Sequence, residues 1–297
     1  IACGRHRGIV ACRGVCINAR AREVPGQIER ATIRPMLRFY SWNVNGLRAV
    51  DRKGIFLDWL AKAQPDIAGL QETKCNPGQL DERLLAPPGY HTYWASAERG
   101  GYSGVALYCK REPIAVQIGL GVDEYDREGR TIVADFGDFV FINAYFPNGG
   151  RDHARVPFKM QYNADFLHFI NGLRAQGRSV IFCGDVNTSL QEIDLARPRQ
   201  NRNTTGFMPI EREWIDEVVN SGYVDTFRAR YPDLEGAYTW WAQFTSSREK
   251  NVGWRLDYFF VSPDLWPQVV DAAIHPEFYG SDHCPVSLTI DLGMDRR

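Results

Sequence analysis

Residues 179–187 read SVIFCGDVN, an apolar run that ends abruptly in polar residues. The run 179–184 predicts a β-strand that ends at a polar turn. Asp185 and Asn187 follow on alternate positions, and in an extended chain their side chains would point the same way. Loops at strand ends carry catalytic residues on rigid scaffolds, so this stretch indicates a site as well as a strand. A capping turn is the alternative explanation for the same two residues.

The same alternation of apolar runs and turns extends in both directions from this strand. Many strands with fewer, interspersed helices fit an α/β fold in which two sheets pack face to face with helices outside. No composition shift or linker divides residues 37–295, so we expect one domain there. The predicted strands are 37–42, 66–71, 104–108, 139–145, 179–184, 256–261 and 285–290, and the predicted helices are 55–60 and 157–175.

Composition excludes several classes of protein. The chain has 297 residues, of which 44% are hydrophobic, and its formal net charge is −1. Any DNA contact must therefore be a local basic stripe around an acidic site. The seven cysteines include no C-x-x-C pair, which argues against a structural zinc site and favours reduced intracellular thiols. No apolar run approaches ~18 residues, so we expect no membrane span and no membrane partner.

Residues 1–36 differ from the rest of the chain. They form a basic N-terminal extension with seven Arg, no Lys and two Glu. Three interpretations stay open: a disordered extension, a segment outside a natural protein that begins at Met36, or an organelle-targeting peptide, because such peptides are Arg-rich and poor in acids.

Three more polar clusters stand at predicted strand ends. Asn43 ends the first strand and offers a carbonyl ligand, or else forms an Asx-turn. Glu72 directly follows the strand 66–71, where it is either a solvated residue or a ligand for Mg²⁺, which prefers oxygen. In the stretch 280–285 (GSDHCP), Asp282 could bind a metal while His283 faces a phosphate. Asp257 could instead orient His283 and fix its tautomer. Together these residue types fit metal-assisted attack on a phosphodiester.

These motifs, in this order, resemble the endonuclease/exonuclease/phosphatase superfamily, and within it the exonuclease III branch of apurinic/apyrimidinic (AP) endonucleases, nearest the archaeal and human-type members. The resemblance covers roughly residues 37–292. Its main stretches are 41–49 (SWNVNGLRA), 69–74 (GLQETK), 101–106 (GYSGVA), 143–149 (NAYFPNG), 184–187 (GDVN), 251–258 (NVGWRLDY) and 280–285.

The resemblance implies a four-layer α/β sandwich of two mostly antiparallel sheets, and a Mg²⁺-dependent DNA repair nuclease, with Mn²⁺ as a substitute metal. It would cleave 5′ of abasic sites and have 3′–5′ exonuclease or 3′-phosphodiesterase activity. Glu72 would be the main metal ligand, helped by Asn43 and Asp282. The implied catalytic residues are Asp185 for the attacking water, Asn187 and Tyr145 for the oxyanion, and His283, oriented by Asp257, for the phosphate.

The resemblance also implies a DNA surface. Trp240 and Trp254 would line a pocket for a sugar without a base, while Trp241 belongs to the core. Phe244 would act as a wedge that unstacks the duplex. Asn201, together with Asp194, would support the site from a loop. The remaining implied contacts to the DNA are Arg48, Lys74, Tyr102, Asn148 and Arg151.

Two positions depart from the family pattern. Asn45 stands where some members carry an aspartate ligand, which leaves the number of metal ions open. Arg197 replaces an asparagine that some members use to line the site.

Alternative functions remain at this point. The same chemistry could act on a lipid headgroup, or the chain could be a DNA-binding module without activity. For the nuclease we expect a monomer acting on damaged double-stranded DNA. Its location would be the cytoplasm, with activity at the nucleoid, or the nucleus or mitochondrion in a eukaryote.

Overall fold

The computed structural model describes residues 36–243 and 246–293. Buried apolar segments form its central strands. Three of these, Ile67–Gln71, Val140–Tyr145 and Val180–Asp185, are covered on both faces. The strands are β1 (Leu37–Asn43), β2 (Ile67–Gln71), β3 (His91–Ala95), β4 (Val105–Cys109), β5 (Ala115–Ile118), β6 (Thr131–Asp135), β7 (Val140–Tyr145), β8 (Val180–Asp185), β9 (Val224–Asp225), β10 (Trp240–Trp241), β11 (Gly253–Trp254), β12 (Asp257–Val261), β13 (Val269–Ile274) and β14 (Val286–Ile290).

The helices connect these strands. Pro157 and Pro209 stand in the first turns of the two longest helices, Val156–Ala175 and Pro209–Asn220. A backbone N–H in the first turn has no partner within the helix, so proline is tolerated there. The helices are α1 (Leu47–Arg52), α2 (Phe56–Ala63), α3 (Glu82–Leu85), α4 (Asp123–Asp126), α5 (Val156–Ala175), α6 (Pro198–Asn201), α7 (Pro209–Asn220) and α8 (Thr226–Arg230).

Most strands belong to two six-stranded sheets. The first has the order β13-β14-β1-β2-β4-β3, and the second has the order β5-β6-β7-β8-β12-β9. Each sheet contains one parallel pair, β1 with β2 and β7 with β8, and its other pairs are antiparallel. β10 and β11 form a separate two-stranded ribbon.

The sheets pack face to face and helices cover their outer faces. Phe39 of the first sheet stacks on Phe141 of the second, with ring centroids 5.7 Å apart. Trp59 of α2 packs on the outside of the first sheet, and Phe166 of α5 packs on the outside of the second. The result is the four-layer α/β sandwich of mostly antiparallel sheets that the sequence predicted.

A buried polar contact fixes the two sheets relative to each other. Asn143 of β7 donates to the carbonyl oxygens of Leu70 and Ala106 across the sheet interface, at 3.0 and 2.9 Å. A Cβ at Gly69 would lie 2.7 Å from the Asn143 side chain, so glycine is required for this approach. Leu70 lies one residue before the end of β2, and Asn143 lies two residues before the end of β7, so the contact is close to the edge where the polar clusters emerge.

The predicted element bounds agree closely with the structure. The strand predicted at 179–184 is β8, and the helix predicted at 157–175 is α5, which begins one residue earlier. The division into 1–36 and 37–295 stays a prediction, because residues 1–35, 244–245 and 294–297 lie outside the described part of the chain. Among the described residues, none of the helices combines the length and the apolar character that a membrane crossing needs.

Candidate active site

The polar clusters predicted at strand ends meet at one end of the two sheets. In the first sheet the parallel strands β1 and β2 end at Asn43 and Gln71, so Glu72 follows beside Asn43. In the second sheet the parallel strands β7 and β8 end at Tyr145 and Asp185. Asn43 Nδ2 donates to both Glu72 Oε1 and Asp185 Oδ2, each at 2.9 Å, and thereby joins the two sheets.

Glu72 is held as a carboxylate. Lys74 Nζ lies 2.7 Å from Glu72 Oε2 and also donates to Asn45 Oδ1. Burial raises the pKa of Glu72, but Lys74 and the Asn43 amide outweigh burial and keep this pKa below its usual value. A charged carboxylate therefore stands at the centre of the site at neutral pH.

The imidazole ring of His283 lies between two carboxylates, those of Asp257 and Asp185. His283 Nδ1 lies 2.8 Å from Asp257 Oδ2, and its Nε2 lies 3.7 Å from Asp185 Oδ2. Burial lowers the pKa of His283, but Asp257 and Asp185 outweigh it and raise this pKa to about 10. Burial raises the pKa of Asp185 to about 7, against the opposing effect of His283. The site thus combines a fixed imidazolium with a carboxylate that can accept a proton near neutral pH.

Asn187 lies beside Asp185, but not for the reason that the sequence suggested. The chain is not extended there, because Asn187 has φ 53°, in the left-handed region. The turn directs the Asn187 backbone N–H to Asp185 Oδ1 at 2.8 Å, and Asn187 Nδ2 to the Phe146 carbonyl oxygen at 3.0 Å. Asn148 Nδ2 donates to Asn187 Oδ1 at 2.9 Å. A turn, rather than strand alternation, therefore brings the two side chains together.

Tyr145 contributes a neutral hydroxyl. Burial raises its pKa far above the usual value, and Glu72 and Asp185 raise it further. The phenol therefore remains a hydrogen-bond donor at any pH at which the protein would work.

Arg130 lies behind this tyrosine and was not singled out from the sequence. Its guanidinium stands 4.9 Å from the Tyr145 ring centroid and donates to the Tyr145 carbonyl oxygen and the Tyr102 hydroxyl, both at 2.9 Å. Its nearest ion-pair partner is Glu128, two residues away, but Tyr102 and Tyr145 come from distant segments, so no local pattern in the sequence links Arg130 to the site.

Asp282 is close to the site but has partners of its own. Asn45 Nδ2 donates to Asp282 Oδ1 at 2.8 Å, and Trp240 Nε1 donates to Asp282 Oδ2 at 3.2 Å. Burial raises the pKa of Asp282, but His283 and these hydrogen bonds outweigh it and lower the pKa overall. Asn45, the position that departs from the family pattern, thus orients an acid instead of adding one.

The two carboxylates of the site fit a divalent cation. An oxygen of Glu72, an oxygen of Asp185 and a ring nitrogen of His283 lie within 4.8 Å of one another, but a protonated ring cannot bind a metal, so the carboxylates are the candidate ligands. Of the metal ligands predicted from the sequence, Glu72 belongs to this group. Asn43 instead turns its amide nitrogen toward the carboxylates. Around this group, the described side chains supply more negative than positive charge. The acids are Glu72, Asp185, Asp257 and Asp282, and the cations are Lys74 and His283.

The predicted DNA contacts occupy different environments. Lys74 is in the site itself, and Tyr102 is half-buried on Arg130. Three others are exposed: Arg48, Asn148 and Arg151. The side chain of Asn201 has partners in its own loop: it donates to the Arg197 carbonyl oxygen at 2.8 Å and accepts from Thr204 Oγ1.

The three tryptophans near the site differ in burial. Trp240 and Trp254 are half-buried and meet edge to face, with ring centroids 6.4 Å apart. Trp241 is 3% exposed and packs in the core with Tyr238. Phe244, the predicted wedge, lies outside the described residues.

A second group of buried charges, which we term the arginine cluster, lies next to the site. Arg255 donates to Asp194 at 2.8 Å and to Asp225 at 2.7 Å, and Arg228 donates to Asp194 at 2.9 Å. Arg255 stands two residues before Asp257, so the cluster anchors the start of β12. The carboxylate of Asp194, expected to support the site from a loop, is thus connected to β12 through Arg255.

Two packed sheets that bring carboxylates, an amide, a phenol and an imidazolium to one cation-binding edge define a class, the metal-assisted phosphoesterases. A family model described as Endonuclease/Exonuclease/phosphatase family matches residues 40–283. The chain belongs to this family and is a hydrolase, as its motifs indicated.

Individual relatives agree with this assignment. The chain is 47% identical over 256 residues to an exodeoxyribonuclease of Bacillus subtilis, covering 86% of this chain and 100% of that protein. It is 46% identical over 255 residues to the DNA repair nuclease APEX1 of Danio rerio, covering 85% of this chain and 81% of that protein. Its structure matches an AP endonuclease from Archaeoglobus fulgidus with a TM-score of 0.79 at 29% identity, covering 86% of this chain and 100% of that chain.

Proposed function

We propose that this protein is a Mg²⁺-dependent DNA repair nuclease that cleaves the phosphodiester 5′ of abasic sites and also trims 3′ ends. The observation that carries the proposal is the close grouping of Glu72, Asp185 and His283, with the Asn187 amide beside Asp185. The names of its relatives, an exodeoxyribonuclease and a DNA repair nuclease, support DNA as the substrate.

In the proposed reaction the protein groups divide the work. Asp185 accepts a proton from the attacking water, because its raised pKa suits a general base near neutral pH. Asn187 and Tyr145 donate hydrogen bonds to the oxygens on which negative charge develops. His283, kept protonated by Asp257, binds the scissile phosphate as a cation.

Glu72 would hold the metal, and Asp185 and His283 border the same space. Asn43 and Asp282 remain the helping ligands that the family resemblance implies. The bound Mg²⁺, or Mn²⁺ in its stead, supplies charge neutralisation for the phosphate and the leaving oxygen.

The DNA surface would surround this centre. Exposed Arg48, Asn148 and Arg151 would contact phosphates, which position the duplex without specifying its sequence. Trp240 and Trp254 would line the pocket for a sugar that has lost its base, because such a residue leaves the stack at the lowest cost. Phe244, Tyr102, Lys74 and Asn201 remain proposed contacts from the family resemblance.

We further propose a monomer acting on damaged double-stranded DNA in the compartment that holds that DNA. This is the cytoplasm with its nucleoid, or the nucleus or mitochondrion in a eukaryote.

A panel of labelled duplexes tests the proposal. One duplex carries a single tetrahydrofuran abasic analogue, one is intact, and one has a blocked 3′ end, each assayed with Mg²⁺, with Mn²⁺ and with EDTA. We expect one nick 5′ of the analogue that needs the metal, and slower trimming of the blocked end. Equal cutting of the intact duplex, cutting in EDTA, or hydrolysis of a soluble inositol phosphate alone would each refute it.

A further inference from the structure

A buried ion pair lies directly behind the candidate active site. Lys159 of α5 and Glu211 in the first turn of α7 are both 0% exposed, and Lys159 Nζ lies 2.7 Å from Glu211 Oε1. Removing two charges from water is unfavourable, and an apolar pair of similar volume is often as stable or more so. Stability is therefore a weak explanation for this pair, and the directions of its hydrogen bonds matter more.

Lys159 donates to the turn that carries Asn187. Its Nζ lies 2.7 Å from the Asn187 carbonyl oxygen and 2.8 Å from Thr188 Oγ1. With Glu211 these acceptors match the three N–H groups of an ammonium. Asn187 has a left-handed backbone conformation, which asparagine tolerates better than most residues with a side chain. The ammonium supplies the partner for the carbonyl of that turn.

Glu211 organises the loop on the other side of the pair. Its Oε1 accepts from Thr205 Oγ1 at 2.8 Å, and its Oε2 accepts from the backbone N–H groups of Gly206 at 2.6 Å and Met208 at 3.1 Å. Gly206 is thereby held against two parts of the site. A Cβ on it would lie 3.2 Å from the Asn187 carbonyl oxygen and 3.3 Å from the Trp254 ring.

We propose that Lys159 and Glu211 are positioning residues that fix Asn187 for the reaction and hold the loop beneath Trp254. This inference rests on the proposed function, in which Asn187 donates to the phosphoryl oxygen and Trp254 lines the sugar pocket. Neither member of the pair touches the substrate. An apolar pair would fill the same volume, but it could neither donate to the Asn187 carbonyl nor accept from the Gly206 amide.

The double variant Lys159→Met/Glu211→Leu separates positioning from stability. Because both charges are removed together, no unpaired ion remains buried. The Asn187 carbonyl oxygen and the Gly206 N–H still lose their partners, so we expect a moderate fall in the melting temperature and a variant that remains folded. The turnover number for nicking the abasic duplex should fall about 10- to 100-fold, because a small displacement of a catalytic group has effects of this size. KM should change far less. A double variant that is stable and nicks at the wild-type rate would overturn the inference.

A double-mutant cycle identifies the group through which Lys159 acts. Lys159→Met should slow nicking in the wild type but add little in an Asn187→Ala background, because residues that act as a unit are not additive. An equal loss in both backgrounds would show that Lys159 does not work through Asn187.

A second variant keeps the test decisive if the double variant fails to fold. Glu211→Gln retains the shape of the side chain, and we expect it to reduce both the turnover number and the preference for the abasic over the intact duplex. Wild-type values for both would refute the role of Glu211. A wild-type protein that leaves the abasic duplex uncut would instead refute the proposed function itself.

Discussion

Two groups of buried charges lie a few residues apart in this protein, and they are built differently. The arginine cluster is balanced, since two aspartates face two guanidiniums and each charge has an opposite partner. The second group, which we term the catalytic cluster, has four carboxylates and two cations. Its members are Glu72, Asp185, Asp257, Asp282, Lys74 and His283.

The difference shows how a fold separates support from chemistry. In the balanced cluster, Arg255 and Arg228 lower the pKa of Asp194 against the effect of burial. In the unbalanced cluster, burial and neighbouring acids leave Asp185 with a raised pKa. The first cluster is complete within the protein, whereas the second has a deficit of positive charge that a bound cation and a phosphate site would meet. Substitutions in the arginine cluster should therefore change the free energy of unfolding, whereas substitutions in the catalytic cluster should change the rate of nicking.

The largest effect is expected from Asp185→Asn in the catalytic cluster. Loss of the general base should slow nicking of the abasic duplex about 10²- to 10⁴-fold. Because the pKa of Asp185 is raised in the folded protein, its ionised form opposes folding at pH values above the pKa it has when unfolded. At pH 8 the variant should therefore melt at the wild-type temperature or higher. A fall in melting temperature parallel to the loss of rate would contradict this account.

The next effect is expected from Asp194→Asn in the arginine cluster. Two buried guanidiniums lose their shared carboxylate, and breaking a buried ion pair in this way costs about 3–5 kcal/mol. Urea unfolding measures the change in the free energy of unfolding, and Asp233→Asn, at an exposed aspartate, is the matched control. Since the pKa of Asp194 is lowered, its contribution should disappear as the pH falls through that lowered pKa. An Asp194→Asn protein as stable as the control would remove the distinction between the clusters.

A smaller effect is expected from adding the cation. Mg²⁺ that binds only the folded protein should stabilise it by about 2.7 kcal/mol at a hundred times its dissociation constant. Glu72→Gln should abolish most of this gain, because it removes the central carboxylate. Thermal melts in Mg²⁺ and in EDTA, without DNA, provide the measurement. An equal gain in the Glu72→Gln protein would place the binding site elsewhere.

The smallest effect concerns the histidine. Asp257→Asn should lower the pKa of His283 by at least about one unit, because a neighbouring carboxylate is lost while the opposing effect of burial remains. The ring should then lose its charge at a lower pH than in the wild type, where it remains protonated up to about 10. An NMR titration of the ring in the metal-free protein follows this change directly. An unchanged pKa would mean that Asp257 orients the ring without holding its proton.

The sequence predicted the parts of the site that depend on strand ends. Asn43, Glu72 and Asp185 each end or follow an apolar strand, and parallel neighbours end at the same edge of a sheet, so their convergence follows from the pattern. The prediction missed seven of the strands in the described part of the chain: β3, β5, β6, β9, β10, β11 and β13. Three of these, β9, β10 and β11, have only two residues, which carry no periodicity. Arg130 and Lys159 could not be predicted as part of the site, since the site residues that they contact come from distant segments. The positive φ of Asn187 was likewise not predicted from the sequence of its turn.

The site draws on both ends of the described chain, from Asn43 in β1 to His283 just before β14. During synthesis the ribosome releases these residues in that order, and β14, the strand that follows His283, pairs with β1. A nascent chain that lacks its last strands thus has Glu72 and Asp185 without the contact between His283 and Asp257. Under the proposed function, such a chain lacks the cation that binds the scissile phosphate, and nicking should begin only when the last strands are in place.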